Sequence, residues 1–192
     1  MKSILARTFL LLSASVLLAA REKAPATYSV PTPPLADFSA LDWLLGDWAG
    51  KIVPPWPQGE VRLNVSYALD KRFLVLREEI KLADTDTVPG LKESWMGILS
   101  PDRSPSSFMM RVYSSTGFIT RYRVTVDGPA VTFNPEGGDQ PPPGWLFRKS
   151  IIRSGPEDLN ETVQAAPPNK GFFDYFTVKL FHLRFQERSP NP

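Results

Sequence analysis

Residues 60–69 constrain the fold more than any other part of the chain. Val61, Leu63, Val65, Tyr67 and Leu69 alternate with Glu60, Arg62, Asn64, Ser66 and Ala68. A period of two gathers the apolar set on one face of a strand, whereas a helix would scatter it. Asp70-Lys71 then turns the chain into residues 72–82, where Leu74, Leu76, Ile80 and Leu82 again share a face. The two runs form a hairpin. Glu78 falls within that second apolar set, and a charge facing a core needs a partner or a shifted pKa. Arg111 is the candidate partner, and a bulge that turns Glu78 outward is the competing reading.

Further strand-like runs cover residues 48–53, 91–99, 107–114, 118–126, 130–134, 145–153, 158–165 and 172–185, separated by Gly, Pro, Asp, Asn and Ser clusters. About ten strands in succession, with no helices between them, exclude a parallel α/β sheet. They predict an all-β fold, an up-and-down antiparallel barrel whose closure removes exposed edges. A short N-terminal helix precedes it. Asp37 or Ser39 caps a turn that groups Phe38, Leu41, Trp43, Leu44 and Leu45, and Gly46 ends it in a left-handed conformation. Pro141-Pro142-Pro143 deprives residues 140–144 of strand donors and makes them a loop, either a stiff connector or a polyproline partner site.

The amino-terminal residues read differently. Lys2 and Arg7 precede an apolar run over residues 8–18 that closes on Ala19-Ala20, the order of parts in a secretory signal. The run falls short of the ~20 apolar residues a membrane span requires. The expected organisation is a signal peptide at 1–20, a proline-rich leader at 21–36, the barrel at 37–188 and a tail at 189–192, with a periplasmic or extracellular product. Ala24-Pro25-Ala26 offers an alternative cut. Loss of Lys2 and Arg7 from 22 basic residues leaves them equal to the 20 acidic ones, so nothing in the charge favours nucleic acid. With no cysteine, the chain has no disulfide and no thiolate nucleophile or ligand.

The segment Leu41-Asp42-Trp43-Leu44-Leu45-Gly46-Asp47-Trp48-Ala49-Gly50 resembles the opening of calycin-type barrels, where a short helix leads to Gly-x-Trp at the first strand. It is similar to small bacterial members of that superfamily that look like nitrobindins and fatty-acid-binding proteins. The resemblance implies a barrel with a central cavity. It also implies two ligand chemistries: a haem held by a histidine near the C-terminus, for which His182 is the single candidate, and a carboxylate held by interior Arg and Tyr. Gly46 and Trp48 read as structural, a tight change of direction and an apolar plug.

The residues by themselves support a binding barrel for a small apolar or amphipathic molecule, with Tyr67, Trp95, Met110 and Tyr122 as wall and Glu78 or Arg111 as polar anchor. Arg121 and Arg123 fall on the solvent face. His182 lies in phase with Phe176, Val178 and Leu180. As the lone histidine it excludes a multi-histidine metal site, and no Ser-His-Asp triad can form without it, while one imidazole suffices for a haem. A ligand-free scaffold barrel of the cell envelope is the third reading. No phosphate-binding loop or paired-ligand metal motif is present to demand an enzyme. The register of residues 91–114 stays open, so Glu93, Trp95, Arg111 and Tyr113 are each free to face either way.

Overall fold

The structure is a computed structural model that describes residues 31–55, 58–85, 89–102, 107–138 and 143–183. The signal reading at 1–20, most of the leader, Pro141, Pro142 and the tail lie outside the described residues. A 3-10 helix at Ser39–Leu44 leads into ten strands: β1 (Gly46–Ile52), β2 (Gly59–Ala68), β3 (Phe73–Leu82), β4 (Leu91–Pro101), β5 (Phe108–Ser114), β6 (Ile119–Asp127), β7 (Ala130–Gly138), β8 (Leu146–Arg153), β9 (Asp158–Ala166) and β10 (Phe173–His182). Each strand pairs antiparallel with the next, and β1 pairs with β10 to close the barrel. This is the up-and-down architecture that the spacing predicts. Among the described residues no helix is long and apolar enough to cross a membrane.

The period of two decides which side chains fill the interior. Val61, Leu63 and Val65 of β2 are buried, as are Leu74, Leu76 and Glu78 of β3, in the hairpin register Leu63↔Glu78 and Val65↔Leu76. The hairpin turns through Leu69, Asp70 and Lys71, which take three successive left-handed conformations with φ of 49°, 55° and 62°. Arg72 N–H closes the turn on Leu69 O at 3.1 Å.

One end of the barrel is plugged. Phe38, Leu41 and Leu44 are buried, and Phe38 stacks on Phe108 of β5 with centroids 5.2 Å apart. Neither Asp37 nor Ser39 is the N-cap: Phe38 takes that place with no side-chain bond, while the Asp37 carboxylate accepts from Ser39 N and Oγ. A helix this short is held by burial of its apolar residues, which makes a cap dispensable. Trp48 is buried at the same end and donates its indole N–H to Leu44 O at 2.9 Å.

Gly46 has a positive φ of 122°, but within β1 and not as the helix terminus, because Leu45 has already returned to extended backbone. Its missing side chain has a second use. A Cβ there would stand 2.3 Å from Nε2 of His182, whose ring meets Trp48 edge-on at 4.7 Å. Gly46→Ala is expected to cost about 1–3 kcal/mol, mostly backbone strain. In urea unfolding, removing the clash with His182→Ala should recover only a minor part; full recovery in the double variant would show that the backbone is not strained.

Candidate functional site

Away from the plug the interior stays open. A cavity of about 440 Å³ begins at the level of Glu78, Trp95, Met110 and Phe133 and extends to the opposite barrel end, between walls that include Ile80, Val112, Tyr122, Phe147, Val163 and Phe176. Such a volume is in the range of small-molecule sites. Gly97 of β4 shapes the wall, because a Cβ there would lie 2.7 Å from Met110 Sδ. At the mouth an aromatic chain runs from Phe173 through Trp145 and Phe147 to Tyr175, with successive centroids 6.0–6.4 Å apart. The β7–β8 ladder stops at Phe133↔Lys149; above it β7 pairs with β6 and β8 with β9. The wall is therefore unlaced beside the cavity.

The floor carries the charge. Lys149 of β8 reaches across the lumen to Glu78 of β3, five strands away around the barrel, and donates to Oε1 at 2.6 Å and Oε2 at 2.5 Å. Its Nζ also lies 2.8 Å from Oε1 of Glu161 on β9 and 4.4 Å from the Trp95 ring centroid, and the Trp95 indole donates to Glu78 Oε1 at 3.1 Å. Glu78 is 2% exposed and Glu161 0%, so the two carboxyls share one ammonium with almost no water. The contact to Glu161 is an ion pair without hydrogen-bond geometry: neither of its oxygens receives a well-formed bond.

Protonation resolves that shortage of donors. Burial, and then the charge of Glu161, push the Glu78 carboxyl up to about 8 against the opposing pull of Lys149, and a hydrogen bond to Glu161 adds to the rise. Two carboxyls can bond each other when one holds a proton, and the raised Glu78 is the one that holds it near neutrality. Burial alone would lower the Lys149 ammonium, but Glu161 and Glu78 together raise it.

Of the residues singled out in the sequence, Glu78, Trp95, Met110 and Tyr122 line this cavity. The other three lie elsewhere. Arg111 is exposed on the outer face of β5, because Met110 and Val112 occupy the inner phase; it does not reach Glu78, and Lys149 takes the place assigned to it. Tyr67 faces inward at the plugged end, where its hydroxyl donates to Asp42 Oδ1 at 2.6 Å and its ring meets Phe38. Burial and that bond raise its phenol to about 12. His182 also faces inward at the plugged end, in register with Trp48. Its Nε2 abuts Gly46, and the ring lies outside the cavity, so the residues present do not fit a haem on His182. Tyr113 is on the outer face, whereas Glu93 faces the cavity.

Lys149 and Glu161 escaped the sequence reading although both carried the signal that marked Glu78. Lys149 is in phase with Phe147 and Ile151, and Glu161 with Leu159, Val163 and Ala165. Among the described residues no group of three His, Cys, Asp or Glu is placed to hold a metal ion. A broader concavity of about 1050 Å³ lies outside β1 to β5, lined by Asp47, Arg62, Asn64, Arg77, Glu79 and Tyr113. Its carboxylates have neighbours: Asp47 accepts from Asn64, and Glu79 pairs with Lys81 and Lys92.

No family model matches the chain, and no curated protein matches it. Among solved structures it is similar to the crystal structure of Rv2717c from M. tuberculosis, at 19% identity and a TM-score of 0.56, over 79% of this chain and all of that one. It is also similar to a protein of unknown function from the DUF3598 family of Nostoc punctiforme, at 12% identity and a TM-score of 0.41, over 82% of this chain and 53% of that one. The first likeness supports the barrel fold.

The raised Glu78 carboxyl has a consequence for stability. Between the ordinary glutamate range and about 8, the folded protein keeps a proton that the unfolded chain has released. Stability from this group is thus fully present below pH 4.5 and is lost as pH rises, at up to about 1.4 kcal/mol per pH unit. Lys149, Glu161 and Trp95 are the groups that face the carboxyl. Urea midpoints should fall from pH 5 to pH 8. Glu78→Gln is expected to flatten the slope, and an unchanged slope would assign it to another group.

Proposed function

We propose that this chain is a binding protein for a small apolar or amphipathic molecule, held in the cavity between the Glu78–Lys149 floor and the aromatic mouth. One observation carries the reading: the interior is filled from the plug to Glu78 and open beyond it, with apolar walls converging on a small set of polar groups. A filled scaffold barrel would have no such space. The closed ten-strand order and the plug that leads into Gly46-Asp47-Trp48 support a calycin-like assignment within this proposal. Fold alone does not choose a ligand, so the reading rests on the cavity. Export through a cleaved signal at 1–20 belongs to the same proposal, and N-terminal sequencing of the mature protein tests it.

The binding test uses a neutral hydrophobic dye, Nile red. The protein is expected to bind it in a saturable 1:1 manner with a blue-shifted emission. Val112→Trp, which fills the upper cavity, should weaken binding by about tenfold or more while far-ultraviolet circular dichroism stays unchanged. Absence of saturable binding by the wild-type chain, or equal binding by the filled variant, would overturn the proposal.

A further inference from the structure

We infer that the cavity selects amphiphiles with a cationic head group and rejects those with an anionic one, with Glu93 as the counter-charge. The inference rests on the binding function proposed above and names the ligand class.

It follows from a census of the charges that face the lumen. The inner phase of the ten strands carries three carboxylates, Glu78, Glu93 and Glu161, and one ammonium, Lys149. Arg148 reaches the cavity margin, but its Nε donates to Gln164 Oε1 at 2.8 Å and its guanidinium lies 4.3 Å from the Phe172 ring centroid, so its charge is turned to the outer face. Lys149 is spent on Glu78 and Glu161. Even with a proton on Glu78, which leaves the floor neutral, Glu93 stands as a further negative charge.

Glu93 is half-buried on β4, one inward step nearer the mouth than Trp95 and in register with Ile80 of β3. Its polar contact is a hydrogen bond from Ser114 Oγ at 2.8 Å, and among the described residues no cation lies within 4 Å of it. A hydroxyl donor stabilises a carboxylate without neutralising it. In an apolar enclosure that leaves an electrostatic vacancy for a positive group.

The surrounding walls suit such a head group. Trp95, Phe118, Tyr122 and Phe147 line the same cavity, and aromatic faces attract ammonium groups, as Lys149 already shows over the Trp95 ring. A carboxylate ligand would meet the opposite field: Glu93 near the mouth, the paired Glu78 below it, and a lysine whose donors are engaged. The cavity lining also includes Ile80, Leu82, Met110, Val112 and Val163 for an apolar tail.

The test compares three ligands with one tail, dodecylammonium, dodecanol and dodecanoate, each displacing Nile red from the full chain at pH 7 and below its micelle concentration. Dodecylammonium is expected to displace the dye at a concentration about tenfold or more below that of dodecanoate, with dodecanol between them. Glu93→Gln should shrink that ratio to about threefold or less and leave dodecanol unchanged. Because Glu93 is half-buried at the mouth, this variant spares the buried floor. Equal or tighter binding of dodecanoate, or a ratio that survives Glu93→Gln, would overturn the inference while leaving the binding function intact. Failure of Nile red itself to bind would overturn both.

Discussion

One ammonium held between two buried carboxylates is the constraint on which the rest of this structure depends. Lys149 and Glu78 come from opposite walls of the barrel, so their contact is a bar across the lumen, and Glu161 and Trp95 fix its two ends. Below it lie Leu63, Leu76, Val131, Ile151 and Val178 with the helical plug, a closed apolar core. Above it the barrel is hollow. Buried ion pairs add little net stability, since desolvation offsets their attraction. Their geometry nevertheless fixes where packing ends and the cavity begins.

The same bar sets the electrostatics of the cavity. With two carboxyls and one ammonium, the cluster reaches neutrality by keeping a proton on Glu78. That proton also supplies the donor that Glu161 otherwise lacks. The polar end of the cavity is therefore engaged in its own contacts, and Glu93, bonded by Ser114, is the further carboxylate above it.

The architecture was legible in the sequence because antiparallel strands with one face in the core write their orientation as a period of two. Residues 60–68 did so, and the hairpin register followed, while Leu69, next in the apolar phase, left the strand for the left-handed turn and is exposed. Glu78 was legible for the same reason, as a charge on an apolar face. Its partner was not. Lys149 lies 71 residues away on the opposite wall, and no local pattern records which strands face each other across a lumen. Arg111 sits on a strand where Met109, Met110, Val112 and Tyr113 are all apolar, so the period was ambiguous there and only the register Ile98↔Arg111 places it outside. His182 had the correct phase but the wrong depth: inward position follows from alternation, while distance from the plug depends on where β10 pairs with Trp48 of β1.

The central claim is that the space above the Glu78–Lys149 bar is the ligand site. A crystal structure of the protein soaked with dodecylammonium tests it most directly. Density for the ligand should lie among Trp95, Tyr122, Phe147 and Phe176, with its ammonium at the Glu93 carboxylate and the bar undisturbed. Ligand density confined to the outer concavity along β1 to β5, with the interior holding ordered water alone, would contradict it.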